Sequence, residues 1–213
     1  VTGVQTCALP IFFMTHDINI HHEDDHESAS SYLVEEIRNL LVNSNRDFSI
    51  GLSGGNTPKL TYSMMAEKFD DLSKTYLWTI DDRWIEEDND LSNQRMINEY
   101  FERTDANILK FEFTSSTPES DAKKYEDKLK STIQKFDVAI LGMGEDGHFA
   151  SLFPNDEASS KGLSENFESA LLYTEAPAYP QQRISFSRAF LEKADHLFLH
   201  ITGVPKMELL ETE

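Results

Sequence analysis

The sequence predicts an α/β fold: a mostly parallel sheet with helices on both faces. Three observations lead there. Apolar runs of strand length alternate with stretches whose apolar residues recur at helical spacing, the pattern of strands joined by helical crossovers. The run Val138-Ala139-Ile140-Leu141 is apolar at every position, as a strand buried on both faces must be. That run empties directly into a glycine-rich turn, Gly142 to Gly147, followed by His148. Turns at the carboxyl ends of such strands are where α/β proteins hold ligands.

The elements follow in order. Residues around 17–22 form a short first strand. From Ser30 to Val42, Leu33, Ile37, Leu40 and Leu41 recur at helical spacing. Phe48 to Leu52 is a strand, and Thr57 to Phe69 a helix with Pro58 in its first turn, where a missing N–H costs nothing. Tyr76 to Ile80 is a strand; Asn93 to Phe101 and Ala122 to Gln134 are helices. Strands follow at 136–141 and near 169–173, 183–187 and 196–201. A last helix begins near Pro205, and the chain stops at Glu213 inside it, so a C-terminal truncation is expected.

A chain of 213 residues fits one sizeable domain. Its first thirteen residues, VTGVQTCALPIFF, begin without Met, lack the basic start of a secretory signal and precede Met14. They read as a non-native segment, like translated adapter DNA, and leave residues 14–213 as the domain. The only cysteine, Cys7, lies in that segment. Without it, disulfides, thiolate catalysis and cysteine-based zinc sites are excluded, and a cytoplasmic location is the default. Acidic side chains number 38 against 19 basic, a net charge of −19. Such a surface repels nucleic acid and anionic membranes, so neither is expected as a partner. No run approaches the roughly 20 apolar residues that would span a bilayer. An anionic ligand must therefore be held by locally gathered Arg, Lys and backbone N–H groups.

Three constellations carry chemistry. Ser53-Gly54-Gly55-Asn56-Thr57-Pro58 follows a strand and opens a helix. Successive N–H groups at a glycine turn, aimed by a helix N-terminus, make an anion nest to which the Ser53 and Thr57 hydroxyls can add. The plainer reading, a tight turn with a hydroxyl cap, has equal standing. The loop lacks the Gly-Lys-Ser/Thr of a nucleotide P-loop. Gly51-Leu52-Ser53-Gly54-Gly55 also fits the G-x-S-x-G nucleophile elbow, which makes a serine hydrolase with Ser53 as nucleophile a competing reading. Second, Asp81-Asp82-Arg83-Trp84 follows the strand at 76–80, with Ser92-Asn93 downstream; Arg83 can fork onto a phosphate. Third, in the loop from Gly142 to Pro154, Asp146 can orient His148 or stabilise its charged form, and His148 is placed to move protons near neutral pH. Arg183, at the start of a strand, and Lys206, opening the last helix, are further candidate cations. The acidic run Glu86-Glu87-Asp88 reads as a solvated loop. The cluster His21, His22, Asp24, Asp25 and His26 has ligand types but no matching set elsewhere, so no metal is expected.

With these residues assembled, the chain resembles the 6-phosphogluconolactonase family. The family shows Ser-Gly-Gly-x-Thr-Pro, then Asp-Glu-Arg-Trp followed by Ser-Asn, then Gly-x-Gly-x-Asp-Gly-His-x-Ala-Ser-Leu-Phe-Pro, an Arg-hydrophobic-Ser/Thr strand and a late Gly-x-x-Lys. The matching residues here are Ser53 to Pro58, Asp81 to Trp84 with Ser92-Asn93, Gly142 to Pro154, Arg183 with Ser185, and Gly203 to Lys206. Asp82, Asn56 and Phe149 stand where the family usually has Glu, Ser and Thr. The related glucosamine-6-phosphate deaminases share the Asp-Gly-His core but carry a proton-transferring carboxylate five residues after the His, where this chain has Phe153.

The resemblance implies a doubly wound fold of the sugar-phosphate isomerase/deaminase type. It also implies hydrolysis of 6-phospho-D-glucono-1,5-lactone to 6-phosphogluconate in the oxidative pentose phosphate pathway. His148 would activate water and Asp146 would tune it. Ser53, Gly54, Gly55, Asn56 and Thr57, with Arg83, Arg183 and Lys206, would hold the phosphate. No metal or cofactor is implied, the only partner is the phosphosugar lactone, and a monomer is expected. A deaminase-like enzyme, the serine hydrolase and a non-catalytic sugar-phosphate sensor are the alternatives.

Overall fold

The computed structural model describes residues 4–8, 19–114 and 116–211. A seven-stranded sheet runs in the order β2 (Asn19–Glu23), β1 (Val4–Ala8), β10 (His196–Thr202), β7 (Val138–Leu141), β3 (Phe48–Leu52), β4 (Thr75–Thr79) and β6 (Asn107–Leu109). From β10 to β6 every neighbouring pair is parallel, while β1 is antiparallel to both its neighbours. This is the mostly parallel sheet expected. Among the described residues seven helices connect or flank the strands: α1 (His26–Val42), α2 (Pro58–Lys68), α3 (Asn93–Phe101), α4 (Pro118–Thr132), α5 (Glu157–Gly162), α6 (Arg188–Leu191) and α7 (Val204–Glu211).

The strands sort their apolar residues by period two onto two cores. On one face Ile50, Leu52, Val138 and Ile140 meet Leu33 and Ile37 of α1, Tyr62 and Met65 of α2, and Ile97 and Phe101 of α3. On the other, Trp78, Ala139, Leu141 and Leu199 meet Tyr125 and Leu129 of α4 and Phe190 of α6. Burial on both faces is why Val138 to Leu141 carries no polar residue.

The sequence-based outline lacks the short elements β5 (Asp81–Arg83), β6, α5 and α6, and three further features differ from it. The strands expected near 169–173 and 183–187 leave the main sheet. As β8 (Leu171–Glu175) and β9 (Gln182–Phe186) they join β5 (Asp81–Arg83) in a small antiparallel sheet whose Ile184 and Phe186 pack on the second core. Two helices start earlier than periodicity suggested, because polar caps lie upstream of the apolar stripe. Asp25 accepts from the Ser28 N–H ahead of α1, and Thr117 accepts from the Ser120 N–H ahead of α4. Of the segment left out of the sequence-based fold, residues 4–8 form β1. A backbone ladder asks little of side-chain identity, and β10 accepts an extended partner there. The rest of residues 1–13, residues 17 and 18 of the first expected strand, and Glu213 lie outside the described residues.

The parallel order places the carboxyl ends of β10, β7, β3 and β4 along one edge. From those ends leave the segments 203–206, 142–154, 53–57 and 80–83. Motifs up to 153 residues apart in sequence, Ser53 and Lys206, thus converge through strand order alone.

Candidate active site

At that edge lies a cleft of about 350 Å³. The ten residues assigned from the sequence to catalysis and phosphate binding line it: Ser53, Gly54, Gly55, Asn56, Thr57, Arg83, Asp146, His148, Arg183 and Lys206.

The anion loop leaves β3 and enters α2. Gly55 has φ +96°, a conformation in which glycine carries no steric penalty. Gly54 is required for space, because a Cβ there would meet the Asn93 amide at 2.0–2.3 Å. The Ser53 hydroxyl is buried and has no hydrogen-bond partner among the described residues. A buried hydroxyl left open at a cleft wall is available to a ligand.

The Asp146–His148 pair is built on the loop after β7. The Gly144 N–H donates to the His148 carbonyl at 2.8 Å and closes the turn. His148 Nδ1 lies 2.5 Å from Asp146 Oδ1. A carboxylate in that position fixes the hydrogen on Nδ1 and leaves Nε2 as the free lone pair. Burial alone would raise the Asp146 carboxyl, but the hydrogen bond and charge of His148 hold it below the usual carboxylate range. Gly144 lies under the pair: a Cβ there would stand 2.2 Å from His148 Nδ1. The Phe153 ring packs on the imidazole, centroids 4.6 Å apart, and Arg183 lies over the same ring at 5.9 Å.

The small sheet supplies the cations. Arg83 and Arg183 are direct cross-strand partners on β5 and β9. Like charges placed so repel each other, which favours an anion between them. Arg83 donates to Asn93 Oδ1 at 2.5 Å, and its Nε is buried without a partner among the described residues. Arg183 donates from Nε to the Pro180 carbonyl at 2.9 Å. Burial, and then the neighbouring Arg83, bring the Arg183 guanidinium down to about 10, still protonated at neutral pH. Lys206 opens α7 at the cleft and has no ionic partner among the described residues. In a chain of net charge −19, this is a local concentration of positive charge.

Asp81, Asn93 and Ser151 also line the cleft; they lie within the sequence motifs, which assigned them no role. Asp81 accepts from the Ser151 hydroxyl at 2.6 Å, and Asn93 donates from Nδ2 to the Asp81 carbonyl at 2.7 Å. The available signal was alternation: Asp81 and Arg83 share one face of a strand, and Asp82 takes the other. Accordingly Asp82 is 4% exposed and serves the start of α3, accepting from Ser92 Oγ and from the Asn93 and Gln94 N–H groups.

The competing readings do not assemble a site. The Ser53 hydroxyl touches no base, and His148 is engaged by Asp146, so the elbow reading lacks its Ser–His link. No histidine of β10 reaches Ser53 either: His196 stands at the opposite end of the strand, and His200 is buried beside Thr61. Among the described residues no group of three or more His, Cys, Asp or Glu gathers to hold a metal. In the His21–His26 run, His21 pairs with Glu23 at 2.7 Å while His26 joins α1. Among the described residues no helix is long and apolar enough to cross a membrane.

Known proteins share both sequence and architecture with this chain. A family model described as glucosamine-6-phosphate isomerases/6-phosphogluconolactonase matches residues 22–212. A 6-phosphogluconolactonase of Rhizobium meliloti is 30% identical over 165 residues, spanning 76% of this chain and 71% of that protein. One of Helicobacter pylori (strain J99) is 32% identical over 192 residues, spanning 89% and 82%. The crystal structure of a 6-phosphogluconolactonase from Shewanella baltica superposes with a TM-score of 0.83 at 28% identity, covering 89% of this chain and 83% of that one.

Proposed function

Because the chain belongs to the glucosamine-6-phosphate isomerase/6-phosphogluconolactonase family, we propose that it hydrolyses 6-phospho-D-glucono-1,5-lactone to 6-phosphogluconate, with His148 as the general base. The observation that carries this reading is the Asp146–His148 pair facing an anion nest and two arginines within one cleft. A phosphorylated lactone needs both: a seat for its dianion and a proton carrier at C1.

In this mechanism His148 Nε2 takes a proton from water as the oxygen attacks C1. The carbonyl electron pair moves onto the exocyclic oxygen, and cleft N–H groups or a guanidinium meet that charge. Collapse breaks the bond from C1 to the ring oxygen, which receives the proton back from the imidazolium. Asp146 holds the tautomer and stabilises the transient cation. The phosphate, seated on Ser53 to Thr57 with Arg83, Arg183 and Lys206, holds C1 in place with binding energy remote from the reaction. No step calls on a metal or cofactor. The setting we infer is the oxidative pentose phosphate pathway of the cytoplasm, with residues 14–213 acting as a single lactonase domain and as a monomer.

Phe153 favours lactone hydrolysis over deamination, because the ring packed on His148 cannot relay a proton. The test couples 6-phosphogluconate formation to its dehydrogenase and subtracts spontaneous lactone opening. His148→Ala is expected to lose about 10²–10⁴-fold of the excess rate. An excess rate that survives in a folded His148→Ala protein refutes the assignment of the base.

A further inference from the structure

Two side chains outside the cleft hold the two ends of the anion loop. Tyr62 Oη donates to the Ser53 carbonyl at 2.8 Å, and His26 Nε2 lies 2.8 Å from the Thr57 carbonyl. A carbonyl only accepts, so Nε2 of His26 carries the hydrogen. Neither residue lines the cleft. Tyr62 is fully buried on α2, and burial pushes its hydroxyl far above the usual range, so it stays a neutral donor. His26 is the first residue of α1, where Asp25 accepts from the Ser28 N–H at 2.8 Å. Its ring packs against His200, centroids 5.6 Å apart.

The loop between these anchors contains adjacent glycines, Gly54 and Gly55, which by themselves leave the backbone free to sample many orientations. A peptide unit is planar, so drawing the Ser53 carbonyl toward Tyr62 turns the Gly54 N–H away from it. Fixing the Thr57 carbonyl sets the start of α2, whose first-turn N–H groups face any bound anion. We propose that His26 and Tyr62 are positioning residues of the anion loop, fixing its Thr57 and Ser53 ends from outside the cleft so that its N–H groups are aimed before phosphate arrives. The inference rests on the reading of Ser53 to Thr57 as the phosphate seat. Ordering the loop in advance removes a cost that binding would otherwise bear.

Three variants test it: Tyr62→Phe, which deletes only the hydroxyl; His26→Ala; and His26→Gln, which retains an N–H donor. The readouts are KM and kcat for the phosphorylated lactone, the inhibition constant of inorganic phosphate, and thermal unfolding to establish that each variant is folded. Tyr62→Phe and His26→Ala are each expected to raise KM and the phosphate constant about tenfold, the size of one lost hydrogen bond. Their kcat should stay within about twofold, the signature of lost ground-state binding, and His26→Gln should recover most of the loss. Folded variants whose phosphate constants match the wild type would overturn the proposal, as would a fall in kcat at unchanged KM. Calorimetric binding of inorganic phosphate to the same proteins keeps the test independent of turnover. A wild type that binds phosphate but opens no lactone would defeat the proposed function and leave the loop anchors to be judged by the calorimetry.

Discussion

Asp81 and Asp82 are neighbours in sequence and face opposite sides of β5. One borders the cleft beside two arginines; the other is enclosed and holds the start of α3. Strand alternation decides this, and no difference in their chemistry does. Asp146 makes a similar point about environment: its carboxyl lies below the usual range because the His148 hydrogen bond and charge outweigh its partial burial. A carboxyl depressed on folding adds stability that is fully present above its unfolded value of about 4 and is lost as pH falls through the lower folded value. Asp146→Asn should therefore narrow the gap between stabilities measured by urea unfolding at neutral pH and near pH 3. The same variant should lose about 10²-fold in kcat, because an amide no longer fixes the imidazole tautomer. Unchanged turnover would remove Asp146 from the mechanism.

Among elements, β5 and α3 work as one unit. Asp82 accepts from the Arg83 N–H, the Ser92 hydroxyl and the Asn93 and Gln94 N–H groups, joining strand to helix start. Burial first of all raises its carboxyl, to about 6, against the pull of these donors. Asn93, held at the first position of α3, in turn meets Arg83 and packs against Gly54. Asp82→Ala would strand the buried Asn93 and Gln94 N–H groups, leaving Ser92 as the N-cap of α3, at a cost of about 2–4 kcal/mol in chemical denaturation. It should also weaken phosphate binding, since Arg83 would lose the support of Asn93. A loss below about 0.5 kcal/mol would show that solvent replaces the carboxylate. The helix and its Ser92 cap are legible in the sequence; that an aspartate ten residues upstream of Ser92 takes the next two N–H groups is not, because that is a tertiary contact.

Over the whole molecule, charge and topology pull in different directions. A net charge of −19 destabilises the compact state by self-repulsion, while the few cations that matter to the cleft are gathered at one sheet edge. Screening weakens long-range repulsion between exposed charges more than contacts between partly buried ones. Raising the salt concentration from about 0.05 to 0.3 M should thus raise the melting temperature by several degrees. A flat or falling melting temperature would show that surface ion pairs such as Lys123–Asp127 and Arg95–Glu99 outweigh the net repulsion.

By itself the sequence determined the alternation of strands and helices, the mostly parallel sheet and the loops that carry the candidate chemistry. These are local properties: apolar period, glycine turns and proline placement act within a few residues. All ten residues singled out this way do line one cleft. Tertiary structure alone decided that β8 and β9 leave the main sheet to join β5, because pairing partners are not written in a strand's own pattern. It also decided that Asp81 and Asn93 border the cleft, and that Tyr62 and His26 grip the anion loop from behind. Each of those depends on a contact between elements far apart in the chain, and such contacts exist only once strand order has brought the carboxyl ends together.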